Sequence, residues 1–207
     1  MSDVIDFLEK KFGKPKNASP FSEILVEKYK ELLSKDIFEI WRAYGSAPFG
    51  NGLFNFVNPD ECNDIIMPWL ELIPQVQPSG CLLLLKSAFG KLYIYDCNSL
   101  SYYVVNCIDA RYSHFKPKKN YTKELVLKVL IIATNENSLE EFDENGDALF
   151  KRALKEIGPL SSNEIYGFEP LLCLGVPARL QNLSKFRWDV HLDIIRNVTH
   201  ELKEFKI

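Results

Sequence analysis

Carboxylate side chains are unusually dense between residues 136 and 147, a stretch that holds six acids and no base. We refer to this stretch as the acidic segment. Carboxylates at this spacing can bind a hard cation, or they can complement the basic surface of a protein partner. They can also form a loop that is only solvated, so the pattern leaves three interpretations open. The candidate residues are Glu136, Glu140, Glu141, Asp143, Glu144 and Asp147.

Part of the acidic segment imitates a calcium loop. Residues 141–146 carry oxygen ligands at positions 1, 3 and 5 of an EF-hand loop and glycine at position 6. Position 12 is Arg152, where that loop requires a bidentate Glu. We therefore reject calcium by this route and predict that Gly146 is a turn glycine ahead of an Asp147 helix cap.

Motifs for phosphate binding and hydrolase chemistry are incomplete. Gly45 and Gly50 have the spacing of a P-loop, but Asn51 and Gly52 replace the residues that would hold phosphate and magnesium. No GxSxG nucleophile elbow occurs in the sequence. The glycines therefore predict a tight turn.

The three histidines, His114, His191 and His200, form no HExxH pair. His191 and Asp193 lie two residues apart on a predicted helix, where side chains point in different directions. We therefore expect structural histidines, and the sequence predicts a protein that is not an enzyme and needs no cofactor and no metal.

Charge lies in opposed blocks although the net charge is only −3. Residues 111–128 hold six bases and one acid, in contrast to the acidic segment. Opposed fields of this kind steer charged partners. General nucleic-acid binders usually carry a basic excess, so we expect no direct contact with nucleic acid. The alternative is a nucleic-acid or regulatory adaptor that uses the basic residues from Arg111 to Lys128.

Cysteine usage and hydropathy indicate the cytoplasm. The longest near-apolar stretch, residues 125–133, falls well short of the roughly 18 residues that a membrane span needs. Residues 1–13 carry acids where a signal peptide would carry positive charge. Five widely spaced cysteines without a CxxC pair favour reduced, mostly buried thiols, and they are Cys62, Cys81, Cys97, Cys107 and Cys173.

Helices are predicted at both ends of the chain from apolar residues at helical spacing. The first runs from Val4 to Phe12, and a second stretch from Ser22 to Tyr44 is interrupted by a break that Ser34 is predicted to cap. Thr122 is predicted to cap a helix that ends near Ala133. Asp147 is predicted to cap another helix that ends at Gly158, and a tail helix is predicted over residues 189–204 with Leu192, Ile195 and Val198 as its apolar positions.

Strands are predicted in the middle of the chain. Residues 53–57 form one, followed by a helix start at Asn58-Pro59 that must bend or stop near Pro68. The runs CLLLLK, KLYIYD and SYYVVNC predict an antiparallel meander, followed by an irregular basic stretch, HFKPKKN. The sequence therefore predicts an α+β fold, with helices packed on a mainly antiparallel sheet.

Five strings resemble one protein family, the immunity proteins that neutralise DNase effectors of type VI secretion systems. The family joins an N-terminal GAD-like domain to a C-terminal immunity domain, which the resemblance places at residues 1–112 and 118–207. The strings are WRAYG (41–45), GNGLFNFVNPDE (50–61), SAFGKLYIYD (87–96), LFKRALKEIGPLSSNEIYGFEPLLCLG (149–175) and NLSKFRWDVHLDII (182–195).

The resemblance implies a cytoplasmic protein that binds a cognate nuclease toxin and blocks it, and it implies no catalytic residue. The toxin and the oligomeric state are not specified by it. We place the toxin-binding surface on the six carboxylates of the acidic segment, because a nuclease presents a basic DNA-binding face. An alternative from another class is a hydrolase using Asp60, Glu61, Glu164 and Glu169, which would require some of these carboxylates to converge in a cleft.

Overall fold

Three helices open the chain in the computed structural model, which describes residues 3–205. The Ser22 hydroxyl accepts a hydrogen bond from the backbone N–H of Leu25 at 3.3 Å and so caps the second helix. Gly45 follows the third helix with φ +54°, and a Cβ there would lie 1.9 Å from the backbone oxygen of Ser19. The predicted break at Ser34 is confirmed and Ser34 stands at the N-cap position of the third helix, but its side chain makes no capping hydrogen bond. The helices are α1 (Asp3–Phe12), α2 (Glu23–Tyr29) and α3 (Lys35–Ala43).

A helical turn and a short helix follow the first two strands. The Asn58 side chain accepts from the backbone N–H of Asp60, as a cap does, while its amide donates to Glu61 Oε1 at 2.8 Å. The helix that follows ends two residues beyond Pro68, close to the predicted stop. These elements are β1 (Pro48–Phe49), β2 (Phe54–Phe56) and α4 (Asn63–Leu70).

The predicted meander is confirmed and forms the centre of a seven-stranded, mainly antiparallel sheet with the order β1-β2-β3-β4-β5-β6-β9. Only the last pair, β6 with β9, is parallel. The strands beyond β2 are β3 (Cys81–Ser87), β4 (Lys91–Asp96), β5 (Ser101–Asn106), β6 (Arg111–Phe115) and β9 (Lys203–Glu204).

The start of the predicted irregular stretch HFKPKKN belongs to strand β6, so that prediction is wrong for His114 and Phe115. Two cross-strand ring pairs explain the difference. Tyr103 stacks on His114 with ring centroids 4.0 Å apart, and Tyr102 stacks on Phe115 at 4.8 Å. Such pairs stabilise a strand whose own sequence is basic and polar.

The C-terminal region adds four helices and a hairpin. Thr122 caps α5 through the backbone N–H of Leu125, as predicted. The hairpin was not predicted, and residues 189–204 are not one helix, because the helix ends at Val198 and Lys203–Glu204 joins the sheet. The elements are α5 (Lys123–Ala133), α6 (Glu136–Leu139), α7 (Phe150–Glu156), β7 (Glu164–Phe168), β8 (Leu183–Arg187) and α8 (Trp188–Val198).

The hairpin and α8 close over one end of the sheet. The backbone N–H of Tyr166 donates to the oxygen of Ala88 at 2.8 Å, and the Phe89 ring contacts the rings of Phe150 and Tyr166. The buried side chains of all these elements form one apolar cluster. The division into domains at residues 1–112 and 118–207 stays a prediction, and its outermost positions, 1–2 and 206–207, lie outside the described residues.

Candidate functional site

Two carboxylates of the acidic segment hold it against the sheet. Glu141 is only 9% exposed, and its Oε1 lies 3.1 Å from Lys91 Nζ and accepts from Asn106 Nδ2 at 2.8 Å. Glu140 Oε1 accepts from the backbone N–H groups of Glu141 and Phe150 at 3.0 and 2.8 Å. Burial raises the pKa of both carboxyl groups. These contacts fix the middle of the acidic segment against β4, β5 and the start of α7.

Glu140 also caps helix α7, the role that the sequence predicted for Asp147. The first residue of α7 is Phe150, and its backbone N–H bonds to Glu140 rather than to Asp147. The cap therefore comes from ten residues upstream, which a local motif does not reveal. The prediction that Asp147 caps α7 is wrong, and the Asp147 side chain is exposed.

Asp143 builds the turn that resembles a calcium loop. Its Oδ1 accepts from the backbone N–H groups of Asn145 and Asp147, both at 3.0 Å, and its Oδ2 lies 2.6 Å from Arg152 Nη1. The hydrogen bond from the Arg152 guanidinium lowers the pKa of Asp143. Gly146 has φ +83°, as a turn glycine requires. The guanidinium of Arg152 therefore supplies the positive charge next to Asp143 in this loop.

The remaining carboxylates of the acidic segment, Glu136, Glu144 and Asp147, are exposed. Glu144 forms a forked pair with Arg179, whose Nε and Nη2 lie 2.5 and 3.1 Å from its oxygens. The backbone N–H of Glu144 also donates to the oxygen of Ala178 at 2.9 Å. The acidic segment is thereby joined to the long loop that connects β7 to β8.

An apolar groove lies between that loop and α8. It has a volume of about 470 Å³, and exposed Leu174, Val190 and Ile194 border it. His191 also borders it, and its ring stacks on Phe186 with centroids 4.3 Å apart. Burial lowers the pKa of His191 to about 4, so its imidazole is neutral at physiological pH.

A second cavity, of about 740 Å³, opens between the N-terminal helices and α5. It is wide and carries both signs of charge, since Asp36 and Glu39 face it together with Lys35, Arg42 and Lys128. The basic residues 111–128 are distributed over β6, a connecting loop and α5. Lys123 donates to the backbone oxygen of Glu31 at 2.7 Å.

Asp60 and Glu164, two of the four carboxylates of the hydrolase alternative, each bind partners of their own. Asp60 binds Lys28 Nζ at 2.5 Å and the Tyr29 hydroxyl at 2.6 Å, and the pairing with Lys28 lowers its pKa. Glu164 accepts from the backbone N–H of Ser161 at 2.7 Å. Only Glu169 borders the apolar groove. These positions give no support to a carboxylate-based catalytic cleft.

Between residues 3 and 205, no group of three or more His, Cys, Asp or Glu side chains is placed so that it could hold a metal ion. In the same residues, no helix is long and apolar enough to span a bilayer. The five cysteines are free thiols, three of them buried, while Cys97 is half-buried and Cys173 is exposed.

Two family models match the chain. Residues 3–108 match the GAD-like domain, and residues 130–199 match the C-terminal domain of the T6SS immunity protein Tdi1. The chain belongs to the GAD-like domain family. The family resemblance expected from the sequence is therefore confirmed, and both the acidic segment and the apolar groove lie in the Tdi1-like region of this immunity protein.

Among solved structures, the immunity protein is similar to the crystal structure of Atu4351 from Agrobacterium tumefaciens. The TM-score is 0.83 at 24% identity, over 95% of this chain and 88% of that chain. At this identity the likeness establishes a shared fold. No curated protein matches the chain.

The sequence located the acidic segment of the immunity protein but missed the apolar groove. A signal for it exists in α8, where Val190, Ile194 and Val198 recur every fourth residue beside the buried positions Leu192 and Ile195. Val198, one of the three apolar positions predicted for this helix, is 44% exposed. The sequence of this helix therefore shows an apolar stripe that is wider than packing against the core requires.

Proposed function

We propose that this immunity protein binds a cognate nuclease effector, a DNase, in the cytoplasm and blocks it without turnover. The match of residues 130–199 to the Tdi1 immunity domain carries the proposal. A DNase must present a basic face to the phosphates of its substrate, and carboxylates can occupy that face. Free thiols in all five cysteines are in keeping with a reducing compartment.

The acidic segment supplies the toxin-binding carboxylates in this proposal, with two kinds of role. Glu136, Glu144 and Asp147 are exposed, and Glu144 would exchange its pairing with Arg179 for a basic side chain of the effector. Glu140, Glu141 and Asp143 already bind groups of the immunity protein itself, which favours a positioning role for them. Exposed charges of this type raise the association rate and select a basic partner more than they add affinity.

The test begins with affinity capture from a lysate of the source organism on the immobilised chain. Retained proteins are identified by mass spectrometry, eluted, and assayed for degradation of plasmid DNA. We expect one nuclease, whose activity falls when the immunity protein is added back in equal amount. If the wild-type chain retains no nuclease although effectors are expressed, the proposed function is wrong.

A triple variant tests the site separately. E136Q/E144Q/D147N should weaken capture about tenfold at low salt and less at high salt, because screening already reduces contacts between exposed charges. The matched control is D6N/E31Q/E71Q, which removes the same charge from exposed positions in the GAD-like domain. Equal affinity of the two triple variants for the nuclease would keep the function and discard the acidic segment as its site.

A further inference from the structure

The apolar groove has a shape and composition that the fold itself does not require. Leu174 is 66% exposed, and Val190 and Ile194 are each 48% exposed, although all three are large aliphatic side chains. They converge on one concave surface rather than being scattered. Apolar side chains grouped around a concavity at the surface indicate a place where another molecule is buried.

The floor of the groove is aromatic and carries no charge at neutral pH. His191 is 3% exposed, and its Nε2 is buried without a hydrogen-bond partner among the described residues. The ring fits there because residue 167 is glycine, since a Cβ at Gly167 would lie 2.3 Å from that nitrogen. Phe168 and Phe186 complete the floor. Such a surface suits an aliphatic or aromatic side chain.

Two charged residues, Glu169 and Arg187, are among those that border the groove. Arg187 is already paired with Asp189 at 2.5 Å, which leaves the carboxylate of Glu169 to meet a charge of a partner. The rim therefore complements a partner that carries positive charge around an apolar centre, which is the usual arrangement of a specific protein interface.

The groove and the acidic segment both contact the loop that connects β7 to β8. The loop that forms one wall of the groove runs on to Ala178 and Arg179, and these residues bind Glu144 through a backbone hydrogen bond and a forked ion pair. The loop thus contributes residues to the apolar groove and also binds Glu144 of the acidic segment.

We propose that the groove anchors the nuclease effector by burying one apolar side chain that is flanked by basic residues of that effector. The inference rests on the proposed function and adds the anchoring surface to it. The groove supplies most of the affinity, while the exposed carboxylates guide the approach. This division follows the common pattern in which a few desolvated side chains at the centre dominate binding energy.

The experiment uses the full chain and the nuclease eluted from the wild-type column, in binding titrations with Ile194→Ser and Val190→Ser. Both positions are half-exposed on a helix, so the variants should keep the wild-type unfolding temperature. The control is Ile132→Ser, an isoleucine that is 45% exposed on α5. We expect Ile194→Ser to weaken binding by at least about tenfold at both low and high salt, and Ile132→Ser to leave it unchanged.

Each other outcome overturns the inference in a distinguishable way. Wild-type affinity in Ile194→Ser and Val190→Ser would remove the groove and keep the proposed function. Retention of no nuclease by the wild-type chain would remove both. Sedimentation that shows the wild-type chain as a dimer and Ile194→Ser as a monomer would assign the groove to a second copy of this chain.

Discussion

At the residue scale, the Lys91–Glu141 pair ties the middle of the acidic segment to strand β4. Both side chains are nearly buried, with 12% and 11% of their surface exposed, and their charged atoms lie 3.1 Å apart. Removing one partner of a buried pair leaves the other charge without compensation, which costs more than the pair itself contributes. Glu141 is therefore an anchor of the candidate surface rather than a contact on it.

The variant Lys91→Met tests this role through its pH dependence. We expect a loss of about 3 kcal/mol in the free energy of unfolding at pH 7, because Glu141 stays buried without its cation. Burial already raises the pKa of Glu141, so protonation is favoured in the folded state, and the loss should shrink as the pH falls from 7 towards about 4.5.

Urea unfolding at several pH values measures the effect of Lys91→Met. The double variant K91M/E141Q is the control, since it has no buried charge and should recover most of the stability at pH 7. A loss in Lys91→Met that does not vary with pH would show that Glu141 is not the source of the cost.

The sequence could locate the candidate carboxylates but could not sort them into anchors and exposed groups. Their partners are far away in the chain, since Glu141 binds Lys91 and Glu144 binds Arg179. Only Arg152, close to Asp143 in sequence, lies within the reach of a local motif. Burial of a charged side chain depends on such distant partners, and composition does not specify them.

At the element scale, the helices could be predicted because their sequence signals lie within a few neighbouring residues. Caps at Ser22 and Thr122 and the apolar spacing of the helices depend on neighbouring residues. The β7–β8 hairpin gave a weak signal because Gly167 interrupts one strand and β8 is largely exposed. Strand β9 has two residues and exists through its pairing with β6, which is about ninety positions away.

The start of α7 gives a prediction at this scale. Glu140 takes the place of a local cap by accepting from the backbone N–H of Phe150 at 2.8 Å. Glu140→Ala should lower the free energy of unfolding by about 1 kcal/mol, the usual effect of losing a helix cap. Glu140→Gln keeps an oxygen acceptor and should lose less. Hydrogen exchange at the Phe150 amide would show the change locally, and equal protection in both variants would contradict the capping role.

At the scale of the whole molecule, the two matched regions share contacts that bind them into one body. Arg196 of α8 donates to the backbone oxygen of Pro68 at 2.6 Å, and the backbone N–H of Tyr166 donates to the oxygen of Ala88 at 2.8 Å. A common apolar core supports the same conclusion. We expect the GAD-like and Tdi1-like regions to unfold together although each matches its own family.

Gly167→Ala in a Trp188→Phe background tests this cooperativity. A Cβ at Gly167 would meet His191 Nε2 at 2.3 Å, so the change should cost about 1–3 kcal/mol within the Tdi1-like region. The remaining tryptophans, Trp41 and Trp69, are fully buried in the GAD-like region. If the molecule unfolds as one unit, their fluorescence midpoint falls by the same amount as the midpoint from far-UV circular dichroism, by several degrees. A fluorescence midpoint that stays at the value of Trp188→Phe alone would instead show that the two regions unfold independently. The acidic segment and the apolar groove would then belong to a separately folding domain.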